Sequence, residues 1–187
     1  MILENKNCKI NITTDETYII NSKENDHYDV ILNLDNYGQN DLYKVLSVSV
    51  DLFYKEYKIA LVGSYLSFDI DCALLEDVVL TVLQDDMITQ INVINGKVIN
   101  HKKIDCFGSN FGIYKADTGY IIHGEIEITK WDLDFNKKWS FSGRDIFVSI
   151  TGKQSMTLLK DRICLYDFYD YYYEIDYDGN QINSDLS

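Results

Sequence analysis

The sequence predicts an all-β fold built from antiparallel meander repeats, and three observations predict it. The 187 residues contain no proline and 15 tyrosines beside many Ile and Val, a composition suited to strands with uninterrupted ladder hydrogen bonding. Helical signals are few. A segment also recurs about every forty residues, in which a strand ends in Asn or Asp, a polar turn follows and an apolar strand returns. Its copies are residues 91–98 around Asn92, 131–139 around Asp132 and 175–182 around Asp176.

Residues 1–75 are the less regular part. Within them, 42–46 follow Asn40-Asp41 as a helix would, but Val45, Ser47, Ser49 and Asp51 alternate with apolar neighbours, and a period of two predicts a strand. From residue 78 the hairpins follow one another. Residues 78–83 end at Gln84-Asp85-Asp86, and 87–94 lead to Asn95-Gly96, the preferred pair for a two-residue type I′ turn with both residues at positive φ; 97–104 return. The second unit comprises 112–116, a turn at Asp117-Thr118-Gly119, 120–123, 125–133 and, after Asn136-Lys137-Lys138, a strand from Trp139. The third comprises 146–150, a turn at Thr151-Gly152-Lys153, 154–159, a turn at Lys160-Asp161, 162–167, 171–176 and a turn at Asp178-Gly179.

Trp131-Asp132, followed after a polar turn by Lys138-Trp139, resembles the blade ending of quinoprotein-type and WD-type β-propellers. There an aspartate at a strand end precedes a turn and the next strand carries a bulky apolar residue. The likeness spans residues 78–182 and implies a propeller-like single domain over 1–187, with three blade-like repeats in 76–187 and a divergent N-terminal β part in 1–75. Propellers close with about four to eight blades, so 1–75 would supply a further sheet. The alternative is an open curved sheet or sandwich that protects its edges another way. Nothing matches the cofactor-binding residues of the quinoproteins, and no cofactor is expected. In size, charge and composition the chain is also similar to small acidic bacterial proteins, some of which are immunity partners of toxins.

The formal net charge is −13 and the pI about 4.5, with no Lys or Arg between Lys58 and Lys97 or after Arg162. A nucleic-acid surface needs the opposite sign; the charge suits either solubility alone or attraction to a partner, which would then be a basic protein. The longest apolar stretch, 45–70, is broken by Asp51, Lys55, Glu56 and Lys58, which opposes a membrane span. Glu4 stands where a secretory leader would begin its apolar run, and a cytoplasmic location is expected. Cys8, Cys72, Cys106 and Cys164 form no C-x-x-C pair and are expected to be reduced thiols among apolar neighbours.

Two groups of residues attract a functional reading. His123, Glu125 and Glu127 are spaced two apart, so one regular strand would set them on a single face, either as a metal or acid/base set or as a solvent-facing edge. Gly124 weakens the first alternative, because a glycine inside a strand marks a bulge or turn. In 166–178, a strand over 171–177 would bury Tyr171, Tyr173, Ile175 and Tyr177 and present Tyr172, Glu174, Asp176 and Asp178 on the other face. With Tyr169 and Asp170 these form an acidic, tyrosine-bearing candidate for partner binding, since tyrosine anchors interfaces and carboxylates select basic partners. The bland alternative is tyrosines covering a sheet and acids solvating it. No G-x-S-x-G elbow or phosphate loop occurs, and no catalytic residue is expected. The leading expectation is thus a non-catalytic protein-binding module, in concrete form an immunity protein against a basic bacterial toxin; the alternative is a metal- or small-ligand-binding protein or enzyme.

Overall fold

The computed structural model describes residues 1–25, 27–66 and 71–184, so the end of the apolar stretch 45–70 lies outside the described residues. Its elements are all strands. Contacts cluster into two compact units, Met1–Ile104 and Asp105–Ser187.

In the first unit, β1 (Ile2–Glu4), β2 (Lys9–Thr14), β3 (Val30–Leu32), β4 (Tyr43–Asp51) and β5 (Glu56–Ser64) form a sheet of order β1-β2-β4-β5-β3. Its pairs are antiparallel except β3 with β5. Alternation sets Ile10, Ile12, Val48, Val50, Ile59 and Leu61 on one face, where they share a core with Leu80, Val82, Ile91 and Val93. The other face is partly roofed by Tyr18 and Ile20 over Val45, Ala60 and Val62. The second sheet of this unit is β6 (Ala73–Glu76), β7 (Val79–Gln84), β8 (Met87–Asn92) and β9 (Lys97–Lys103), antiparallel and in sequence order.

The second unit repeats that plan twice. One sheet is β10 (Asn110–Ala116), β11 (Gly119–Gly124), β12 (Glu127–Trp131) and β13 (Lys137–Ser142); the other is β14 (Met156–Leu158), β15 (Ile163–Tyr166), β16 (Tyr172–Ile175) and β17 (Gln181–Ser184). Ile121 and Ile128 of the first meet Met156, Ile163, Leu165, Tyr173 and Ile175 of the second around Phe147. Each of these sheets is a four-stranded antiparallel meander, the construction of a propeller blade.

The recurring segment is the connection from the third to the fourth strand of each such sheet. In β12–β13, Asp132 Oδ1 accepts the amides of Asp134 (3.0 Å) and Asn136 (2.9 Å). In β16–β17, Asp176 Oδ1 accepts those of Asp178 (2.9 Å) and Asn180 (2.8 Å). In β8–β9, Asn92 Oδ1 accepts the Ile94 amide at 2.9 Å. A carboxylate that takes two turn N–H groups, or an amide that takes one, replaces ladder partners the turn has lost. The fourth turn residue has positive φ, at Phe135 (55°) and Gly179 (85°).

Several boundaries differ from those the pattern predicts. Asn95-Gly96 is not a type I′ pair: only Gly96 has positive φ (68°), and its amide donates to the Asn92 carbonyl at 2.9 Å across a longer turn. Residues 146–150 are not a strand, because Phe147 is drawn into the core and its amide donates to the Glu125 carbonyl at 2.6 Å. Nor is 171–177 one strand, since β16 has a register shift between Glu174 and Ile175 and the Asp176 turn follows. β6, which the pattern does not announce, adds a first strand to its sheet.

Candidate partner-binding surface

β15 and β16 pair Tyr166 with Tyr172, Leu165 with Tyr173 and Cys164 with Glu174. The alternation buries Leu165, Tyr173 and Ile175 and leaves Cys164, Tyr166, Tyr172 and Glu174 half-buried on the opposite face. On that face the Tyr172 hydroxyl donates to Glu174 Oε1 at 2.6 Å and lies 3.3 Å from Cys164 Sγ. Arg162 Nη1 donates to Glu174 Oε2 at 3.2 Å. Contact with the Cys164 thiol, then with Glu174, holds the Tyr172 phenol well above the usual tyrosine range. The bond from Tyr172, assisted by Arg162, holds the Glu174 carboxyl below its usual range against the opposing effect of burial. This pair is closed on itself.

The turn between β15 and β16 is a further copy of the aspartate turn. Asp167 is buried; its Oδ1 accepts the amides of Tyr169 (3.1 Å) and Tyr171 (2.9 Å), and its Oδ2 accepts the hydroxyl of buried Tyr173 at 2.9 Å. The Arg144 amide in turn donates to the Tyr173 oxygen at 2.8 Å. Asp170 has positive φ (62°), is bonded by Thr151 Oγ1 at 3.2 Å and pairs with Lys153 at 3.3 Å. Tyr169 is left at the tip, 74% exposed, its ring edge-on to Phe168. Ile150, 60% exposed, is next in the chain to Thr151, which bonds this turn.

The six residues therefore do not form one face. Tyr169 and Asp170 precede β16, Tyr172 and Glu174 lie on it, and Asp176 and Asp178 belong to the turn after it. Asp176 is consumed by that turn: bonds from Asn180 hold its carboxyl below the ordinary range. Asp132 behaves likewise, with Lys138 at 2.7 Å and then Asn136 holding it well below that range.

The His123, Glu125 and Glu127 set also comes apart. His123 is on β11 and Glu127 on β12, with Glu125 in the turn between them, where Gly124 ends the strand. A Cβ on Gly124 would come 2.7 Å from the Glu127 carbonyl oxygen. His123 is buried beside Phe111, with Nε2 3.2 Å from the Phe147 carbonyl oxygen. Glu127 is buried and accepts the Phe107 amide (3.0 Å) and the Lys137 ammonium (3.1 Å). No group of His, Cys, Asp or Glu that could hold a metal is assembled among the described residues. Cys8 and Cys72 are buried, Cys106 and Cys164 half-buried, and no two of them are joined in a disulfide.

Two features were missed in the sequence. Asp167 has the same spacing to Tyr171 as Asp132 has to Asn136, but the polar residue at the fifth position is replaced by tyrosine. The second is a lysine-lined cavity between the sheets of the second unit, assembled from Lys115, Lys130 and Lys160, whose spacing has no period.

Fold and surface together define an all-β protein of four-stranded meanders that presents an exposed aromatic on a clamped turn. No protein-family model matches the chain, and no curated protein gives a significant match. Among solved structures it is similar to BamB from Moraxella catarrhalis (TM-score 0.49, 10% identity, covering 76% of this chain and 45% of that one). It is also similar to Kluyveromyces lactis Hsv2p (TM-score 0.43, 7% identity, 78% and 48%) and to Kluyvelomyces marxianus Hsv2 (0.42, 6%, 76% and 48%). The chain spans less than half the length of each. No residue role is carried over from them. No helix in the described residues is long and apolar enough to cross a membrane.

Proposed function

We propose that this chain is a non-catalytic protein-binding module for a basic protein, in concrete form a cytoplasmic immunity protein that neutralises a basic bacterial toxin. The observation that supports it is Tyr169. Asp167 ties down the amides of Tyr169 and Tyr171, and buried Tyr173 holds Asp167, so the backbone that carries the ring has little ordering left to lose on binding. The chain as a whole is acidic, with a net charge of −13 and no Lys or Arg after Arg162, although Lys153 pairs with Asp170 beside the ring. Such a field steers a basic partner to the surface, and the tyrosine then anchors it.

Affinity capture from the source cells at low and high salt tests this. The expected result is a basic protein retained at low salt, released at high salt, and bound at least about tenfold more weakly by Tyr169→Ala. Tyr169→Ala is a cleaner probe than Tyr172→Ala with Glu174→Lys, which would break the internal bonds from Tyr172 and Arg162 to Glu174. Retention of no protein at low salt, or indifference to Tyr169→Ala, sinks the proposal. The immunity role fails separately if co-expression does not relieve toxicity of the captured partner.

A further inference from the structure

Among the described residues, the second unit gathers three lysines into one cavity, against the acidic trend of the chain. The cavity, of about 550 Å³, opens between the sheet β10–β13 and the sheet β14–β17. Lys115 comes from the end of β10, Lys130 from β12 and Lys160 from the turn between β14 and β15. Its volume is within the ordinary range for small-molecule sites.

Lys130 is the central feature. It is half-buried, and its ammonium donates to the Tyr177 carbonyl at 2.8 Å. Neither Lys130 nor Lys160 forms an ion pair among the described residues. Its ammonium is held by a carbonyl alone, and a low-dielectric wall focuses its field into the cavity. Lys115 reaches over the Tyr120 ring at 4.7 Å. Asp117 and Asp178 also line the space, which leaves it one positive charge in excess, while Thr118 supplies a hydroxyl. The Leu159 and Tyr177 side chains form its less polar lining.

We propose that this cavity binds a small phosphorylated polyol, a phosphate monoester whose dianionic head lies between Lys130 and Lys160 and whose hydroxyl groups donate to Asp117 and Asp178. Two ammonium groups from different sheets match the charge of a monoester. The carboxylates, which would repel a bare anion, select a ligand that carries donors beside its phosphate. The site is independent of the protein partner proposed above.

Titration of the labelled protein with ribose 5-phosphate, inorganic phosphate and ribose, followed by amide chemical shifts, tests it. Ribose 5-phosphate is expected to produce saturable shifts at Thr118, Lys130, Lys160 and Tyr177, with weaker binding of inorganic phosphate and none of ribose. Lys160→Met, at an exposed turn, and Lys130→Met are each expected to weaken the phosphate ester about tenfold, as loss of one charge-assisted contact does. The proposal is overturned if ribose 5-phosphate gives no saturable shift at these amides, or if Lys160→Met, folded by its spectrum, binds it as the parent does. Equal affinity for inorganic phosphate would overturn the role given to Asp117 and Asp178.

Discussion

Each unit docks a turn of one sheet against an aromatic of the sheet before it, but the two do so with different chemistry. In Met1–Ile104, Gly96 lies against Tyr57, and the Tyr57 hydroxyl donates to the Val93 carbonyl at 2.6 Å. In Asp105–Ser187, Gly179 lies against Trp139, and the Tyr177 carbonyl accepts both Trp139 Nε1 (3.1 Å) and Lys130 Nζ (2.8 Å). The glycine lets a flat ring approach the turn, and the ring's one donor meets a carbonyl that the turn would otherwise leave unpaired. A phenol buried in an apolar core completes the first junction. The second shares its carbonyl with an ammonium, and that ammonium lines a cavity. The same packing device thus ends in a single phenol in one place and, in the other, in an ammonium that walls a candidate binding site.

Substitution of the two glycines should separate the junctions most. A Cβ on Gly179 would lie 2.7 Å from Trp139 Cδ2 at a φ of 85°, so Gly179→Ala is expected to cost about 2–4 kcal/mol. On Gly96 the nearest atom would be Val30 Cγ2 at 3.1 Å, and Gly96→Ala is expected to cost about 1–2 kcal/mol. Denaturant unfolding reads both. An equal or larger loss at Gly96 would break the contrast.

The donors come next. Tyr57→Phe leaves the buried Val93 carbonyl without its phenol and should cost about 1–2 kcal/mol. Lys130→Met leaves Tyr177 its bond from Trp139, and about 0.5 kcal/mol or less is expected. Thermal unfolding of the two variants should show the larger shift for Tyr57→Phe; the reverse order would mean that the lysine, not the indole, holds the second junction.

Acid should distinguish the units more gently. Bonds from Lys138, Arg162, Tyr172 and Asn180 lower Asp132, Asp161, Glu174 and Asp176 respectively in the second unit. In the first, hydrogen bonds from Tyr28 and Thr17 lower Asp15 against the opposing effect of its burial. A carboxylate with a lowered folded pKa contributes stability above its unfolded value, 3.8 for Asp, and that contribution is lost as pH falls through the folded value. Both tryptophans, Trp131 and Trp139, are in the second unit, so their fluorescence reports on it alone. It should register a loss of thermal stability between pH 5 and pH 3 that hydrogen exchange in β4 and β5 shows to a smaller degree. At the other extreme, burial pushes the Tyr57 phenol up to about 12, so its contribution is full below pH 10 and fades as pH rises towards 12.

Much of the plan was legible beforehand for a local reason. Alternation and turn chemistry act between residues a few positions apart, so the sheets from Val79 to Ser184 and the turn roles of Asn92, Asp132 and Asp176 could be read from spacing. The same rule failed where one residue's fate depended on a distant partner. Phe147 left its expected strand for a core assembled by two sheets, and Glu127 turned inward to the Phe107 amide and Lys137. The tyrosine-rich segment was found, but not its division into a closed pair at Tyr172 and Glu174, an exposed tip at Tyr169 and a capped turn at Asp176.

By itself the sequence determined the all-β class, the repeat and the sign of the chain's net field, because propensity, period and charge are properties of the chain in any arrangement. Only the tertiary structure decided which charges are available. Arg162 and Lys153 neutralise acids that the sequence left open, and the Lys130 ammonium is bonded to a carbonyl instead of an acid. Pairing between charges falls steeply with distance and rises with burial. Both are set by which sheets face each other, and no short-range pattern records that.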